Sequence, residues 1–530
     1  MEHKKRQRQN GKRRKRNLEA GIWATMIMLI FRIPLANLLG DEGNGYLAIS
    51  WEIYGLFTLV FGYGYSKAAS QMVKSRVEKN LYQNSLRSMK TVLLTGLLSS
   101  MAGAALLYFF ASAAGTVLFG TRLVEISLKL FAPLLVLATV LGILRGYFEG
   151  MGTTVPTQIS RLVEALVMAT GSVLFAFITM GYGKKVGALL HDEHFEAGFG
   201  AAGVVIGYLL GAFLAILFLC FVDILYKKAY SRLLKKDAGR SAESKRGLLK
   251  EIFASLGLGI LPVLFIRLYR IVNLYLYGQQ RLKGEDAVSG IRIIGSFYGK
   301  VSVLMALSVA VILFLAEERK RSQKQPVFTS GFRTLKLVMG DELQKLIALA
   351  LPIMGTFIVL SEALLKALYG NGGWIEYTLL GIGGVSLLCI SFGVYLYHIL
   401  QEMQMEKPLL VLQLGAFLLQ TLAMLFFRKL PVMGEFPLSE LSLGLAELIF
   451  WLALGVGELL LLIRVCRLRL PWGRIFLPPL LQTFVMIIVE VMIVQVLNKK
   501  LPYWAVCILA IVVGGIFHQL TKKVPLLNRE

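Results

Sequence analysis

Arg267 and Arg270 stand three residues apart, with Asn273 three further on, inside the apolar run LPVLFIRLYRIVNLYLYG. That spacing puts all three on one face of a helix. A guanidinium offers paired N–H donors that fit the oxygens of phosphate or pyrophosphate, so two on one face make a grip for an anion. Arg32 lies in another apolar run, again without an acidic residue at helical spacing. Glu52, Lys300, the pair Arg161 and Glu164, the pair Glu362 and Lys366, and Glu447, Glu458 and Glu490 are further ionisable residues in apolar stretches. An ionisable group in hydrocarbon costs about 2.5–3.5 kcal/mol on insertion scales, so each should face a wet cavity or a partner. Plainer readings stand beside the functional ones. Glu362 and Lys366 can neutralise each other along one helix. Arg161 and Glu164 can form a local pair, and the three later glutamates can serve packing. Arg32, Arg267 and Arg270 have no such partner in the sequence and are read as lining a cationic cleft.

These residues need elements to carry them. A hydrocarbon core about 30 Å thick takes roughly 20 apolar residues as helix, and only helices or closed barrels satisfy their backbone there. The chain has 530 residues, 56% hydrophobic and 17% charged, against about 25% charged in soluble domains. Fourteen apolar stretches are expected to span, at 18–38, 47–68, 91–114, 124–146, 157–181, 200–226, 251–277, 291–316, 342–367, 374–400, 407–427, 438–463, 475–497 and 502–520. The fold class is therefore an all-α polytopic membrane protein.

Basic residues orient it. Of the 57 Lys and Arg, most fall in the gaps on the side of the termini and few in the alternate gaps. Positive-inside bias then makes both termini cytoplasmic, in the cell membrane. The formal charge of +25 needs no nucleic acid: MEHKKRQRQNGKRRKR precedes a span, where it fixes topology and meets anionic lipid. Arg32 and Pro34 interrupt the first apolar stretch, and no small-x-small site follows, so it is expected to be retained. Cys220, Cys389, Cys466 and Cys507 all fall in spans, without a CxxC or a histidine cluster, so neither disulfide nor metal site is expected. His191, Asp192, Glu193, His194 and Glu196 are read as a solvated loop rather than a metal cluster.

The expected organisation is a basic tail (1–17), a six-helix lobe (18–226), a basic linker (227–250), a second six-helix lobe (251–463) and two additional helices with a short tail (464–530). A faint parallel repeat supports the two lobes. In each, an aromatic–Gly turn (Phe119–Gly120, Tyr369–Gly370) precedes a span, a short loop and a proline (Pro156, Pro408) near the start of the next helix.

The segments FRIPLANLLGDEGNGYLAISWEIYGLF (31–57), LRGYFEGMGTTVPTQISRLVEALV (144–167) and GAAGVVIGYLLGA (200–212) resemble the multidrug/oligosaccharidyl-lipid/polysaccharide (MOP) flippase superfamily, in its polysaccharide-biosynthesis and stage V sporulation protein B-like branch, related to the lipid II flippases. The resemblance implies two lobes around a central cavity. It also implies alternating access, moving a polyprenyl-pyrophosphate-linked oligosaccharide or peptidoglycan precursor from the inner to the outer leaflet. It maps a family arginine onto Arg32 and the Arg-Gly motif of an inner loop onto Arg145 and Gly146. The candidate cavity set is Arg32, Glu52, Arg145, Arg161, Glu164, Arg267, Arg270, Asn273 and Lys300. Expected partners are membrane lipids, a lipid-linked sugar and cell-envelope biosynthesis proteins. No cofactor is expected, and the driving ion gradient or potential stays open. A cation-coupled drug exporter would use Glu52 or Glu164. A membrane glycosyltransferase would show acidic DxD-like loops, absent here, so no enzyme is expected. A non-transporting scaffold of cell-envelope assembly is the remaining alternative.

Overall fold

The computed structural model describes residues 2–234, 237, 243–281, 287–322, 332–370, 372–403, 405–427, 438–466, 470–497 and 500–521. Residues 235–236 and 238–242 of the expected linker lie outside them. Every regular element among the described residues is helical. In order they are α1 (Glu2–Thr58), α2 (Gly64–Val77), α3 (Tyr82–Ala113), α4 (Leu123–Gly150), α5 (Val155–Leu190), α6 (His194–Leu234), α7 (Lys245–Arg281), α8 (Ala287–Ser296), α9 (Ser302–Ser322), α10 (Phe332–Val359), α11 (Ser361–Tyr369), α12 (Trp374–Glu402), α13 (Glu406–Phe427), α14 (Leu438–Cys466), α15 (Trp472–Leu497) and α16 (Tyr503–Thr521). Twelve helical segments among the described residues are long and apolar enough to cross a membrane. The protein is a multi-pass membrane protein. The first two of the fourteen expected spans form one helical run, Trp23–Val77.

That first run bends at Gly40, whose φ of 64° and ψ of 179° no helix accommodates. A side chain at such a φ is strained, which explains glycine there. The break frees helix carbonyls, and the buried amide of Asn44 donates to two of them, Ala36 O (2.9 Å) and Gly40 O (2.6 Å). A π turn at Leu59–Tyr63 then joins α1 to α2.

By contacts the chain divides into two units, residues 1–271 with 281–295, and residues 272–280 with 296–530. In the first unit α5 and α6 pack along each other. Gly203, Gly207 and Gly211 recur every four residues on α6, so one face is bare. A Cβ at Gly203 would lie 2.1 Å from Thr179 Oγ1, and one at Gly207 2.3 Å from Ser172 N. Small residues at that spacing let helix backbones approach, the packing available where lipid removes the hydrophobic drive. In the second unit α14 packs against α12 and α13, and α15 against α10 and α16. Phe109, Phe177, Leu189 and Ile224 of the first unit are strongly exposed, as lipid-facing side chains are.

The irregularities recur at corresponding places. A second π turn, Phe297–Val301, falls in the second expected span of the later half, as Leu59–Tyr63 does in the earlier. Gly120 and Gly370, which close the aromatic–Gly turns, both have left-handed φ, 66° and 77°.

Candidate functional site

Glu52 sits on α1 beyond the bend, 2% exposed, and it answers the arginines of α7. Arg270 Nη1 donates to its Oε1 at 3.3 Å, and Arg267 Nη1 lies 4.0 Å from its Oε2. The expectation that no acid accounts for these arginines is corrected here: the partner is 218 residues away from Arg270, beyond any helical spacing. Gly55, one turn after Glu52, leaves room for the pair, since a Cβ there would meet Arg267 Nη1 at 3.3 Å. One carboxylate thus serves two guanidiniums, whose side chains remain 36% and 30% exposed.

A second charged group joins α4 to α5. Arg145 Nη2 lies 2.7 Å from Glu164 Oε2, and Arg161 Nη2 donates to Glu149 Oε1 at 3.4 Å. Arg161 and Glu164 therefore do not form the local pair their spacing allows; each reaches across to the facing helix. Arg145 is fixed further by donating from Nε to Ser160 Oγ (2.9 Å), while Thr157 Oγ1 donates to its carbonyl (3.3 Å). Gly146 follows because α4 presses on α2 there: a Cβ would lie 2.3 Å from Ser66 O. These pairs border a cavity of about 540 Å³ inside the first unit, whose other wall includes Trp51, Tyr54 and Tyr208.

The rest of the expected set disperses. Arg32 Nη1 is buried and, among the described residues, finds no hydrogen-bond acceptor. Asn273 is buried and accepts a hydrogen bond from Gln420 Nε2 of α13. Lys300 lies in the second π turn, buried, with Nζ 3.4 Å from Glu376 Oε1, which also accepts from Ser296 Oγ. Glu362 and Lys366 pair at 2.6 Å along α11.

Two clusters escaped the sequence reading. Arg76 at the end of α2 holds Glu243 with Nε and Nη2 (2.9 and 2.5 Å) and Glu251 of α7 with Nη2 and Nη1 (2.8 and 3.3 Å). Beside it, Tyr230 Oη donates to Tyr82 O (2.9 Å), and burial pushes its phenol above the ordinary value, which keeps the donor proton in place. At the bend, Glu42 Oε1 lies 2.7 Å from His194 Nδ1 and accepts from Tyr46 Oη (3.1 Å), while Arg292 of α8 comes within 3.6 Å of Oε2. Partners more than a hundred residues apart leave no periodic signal. The aromatic wall left a weak one, Trp51 and Tyr54 three apart.

Comparison with known proteins places this arrangement. Residues 18–317 match the model of the polysaccharide biosynthesis protein family, more than half of the chain. The chain belongs to that family, within the MOP flippase superfamily. It is 23% identical over 365 residues to stage V sporulation protein B of Bacillus subtilis (strain 168), covering 67% of this chain and 66% of that protein. It is 21% identical over 374 residues to the lipid II flippase MurJ of the same organism, covering 67% and 65%. The matched stretch therefore falls just short of two thirds of either relative. In fold it resembles the lipid II flippase MurJ in an inward closed conformation (TM-score 0.59, 14% identity, 96% of this chain and 97% of that one). It also resembles an inward-facing multidrug resistance MATE family transporter of the MOP superfamily (TM-score 0.59, 13% identity, 84% and 95%).

Proposed function

We propose that this member of the family is a flippase, with no covalent chemistry, that carries a polyprenyl-pyrophosphate-linked oligosaccharide or peptidoglycan precursor from the inner to the outer leaflet by alternating access. Both termini are cytoplasmic in this reading, in the cell membrane, with lobes at 18–226 and 251–463. The observation that carries it is Arg267 and Arg270 sharing the single buried carboxylate of Glu52. Two guanidiniums that share this one carboxylate are each about a third exposed, and a guanidinium's paired N–H donors suit an anionic head group. The names of the curated relatives and the family support the lipid-linked saccharide.

A cation-coupled drug exporter is the second reading, and it needs a carboxylate open to a cation. Glu52 faces two arginines and Glu164 faces Arg145, which argues against both. The test is translocation of a fluorescent polyprenyl-pyrophosphate sugar in proteoliposomes. Arg267→Lys and Arg270→Lys keep the charge but lose the planar fork, so each should slow flipping about tenfold with abundance unchanged. Parental rates in both, or rhodamine 6G export with no lipid-linked sugar flipped, would refute the proposal.

A further inference from the structure

The cavity between α1, α4, α5 and α6 has a composition that the anion grip does not use. One wall is aromatic. Trp51, 39% exposed, meets Tyr54 and Tyr208 with ring centroids 5.7 Å away in each case, and Tyr54 stacks on Phe131 at 4.6 Å. The remaining polar wall carries Arg145, Arg161 and Glu164. At about 540 Å³ the space lies within the range of small-molecule pockets, roughly 300–1,000 Å³.

Charge decides what fits. Arg145 is matched by Glu164 and Arg161 by Glu149, so the polar wall is locally neutral. An organic cation would find no uncommitted carboxylate, because Glu164 and Glu149 are both matched by arginines. A pyrophosphate would have to lie against Glu164. A neutral ligand with many hydroxyls meets neither obstacle, because a paired arginine and glutamate present donors and acceptors side by side. Arg145 Nη2 is moreover buried, with Glu164 Oε2 2.7 Å away. Aromatic faces opposite such a pair take the apolar C–H faces of a pyranose ring while its hydroxyls reach across.

We propose that this cavity, walled by Trp51, Tyr54 and Tyr208 and closed by the Arg145–Glu164 pair, is a saccharide-binding subsite for an uncharged sugar ring. The proposal rests on the flippase reading for its physiological ligand, and it separates the sugar from the anionic head group gripped by Arg267 and Arg270.

The test uses the full chain in nanodiscs, with glucose and N-acetylglucosamine as soluble neutral probes and pyrophosphate and rhodamine 6G as charged ones. Binding is read by saturation-transfer NMR, and folding by the thermal midpoint. Either neutral sugar should bind the parent, with affinity about tenfold weaker in Trp51→Ala and largely recovered in Trp51→Tyr, which restores a ring. Trp51 is exposed, so its truncation should leave the midpoint near the parental one. Failure of both sugars to bind, sugar binding indifferent to Trp51, or Trp51-dependent binding of pyrophosphate or rhodamine 6G alone would overturn the proposal. Flipping is scored separately. A parent that flips lipid-linked sugar as fast as Trp51→Ala, without Trp51-dependent binding, removes the subsite and keeps the flippase. A parent that binds sugar through Trp51 yet flips nothing keeps the subsite and removes the flippase.

Discussion

Replacing Arg267 and Arg270 together by alanine strands Glu52, and the size of the penalty follows from its surroundings. The carboxylate is buried, and its ion-pair partners among the described residues are those two guanidiniums. Removing the partners of a buried charge costs about 3–5 kcal/mol. The double alanine variant should therefore lose several degrees in thermal midpoint and much of its abundance. Adding Glu52→Gln removes the stranded charge and should restore both. Glu52→Gln alone should cost about 1 kcal/mol or less, since the guanidiniums it leaves are a third exposed and can draw on water. Transport separates from stability in the triple variant, which should be well folded and still fail to flip. Fluorescence-detected size exclusion with a thermal ramp reads the first quantity and proteoliposome flipping the second. A double alanine variant as stable as the parent would refute the pairing argument, and a triple variant that flips at the parental rate would refute the anion grip.

Two further outcomes check the packing. Gly295→Ala would put a Cβ 1.7 Å from Asp41 O, and Gly45→Ala one 2.3 Å from Ile291 O. Both contacts are with backbone, so the helices must part at a cost of about 1–3 kcal/mol or more; reduced abundance is expected, while Gly415→Ala, with nothing within 4 Å, should match the parent. Arg76→Ala should lower the thermal midpoint, and Arg76→Lys should fall between it and the parent because one ammonium cannot fork to two carboxylates. Equal midpoints for all three proteins would show that the clasp contributes nothing to the fold.

Whatever depends on one helix at a time was legible in the sequence. Apolar length and the concentration of charge in alternate gaps gave an all-α multi-pass chain. The aromatic–Gly turns pointed to positions that do adopt left-handed backbone, Gly120 and Gly370. The glycines of GAAGVVIGYLLGA acquire a physical role as the face on which α5 lies. What depends on two helices was legible only by residue type. Arg161 and Glu164 were rightly suspected of pairing, but helical spacing suggested each other, whereas the structure gives them Glu149 and Arg145. Arg267 and Arg270 lacked an acid within four residues, and that lack was taken for openness when Glu52 supplied the charge from another helix. The correction refines the chemistry. Two free arginines would hold a phosphate too firmly for a carrier that must release it, because each charge-assisted hydrogen bond away from bulk water contributes about 1.5–3 kcal/mol. A shared glutamate offers the same donors a standing alternative, so an anion gains only the difference between itself and Glu52. In the proposed flippase, an arginine pair that shares a carboxylate suits a site that must both bind and let go.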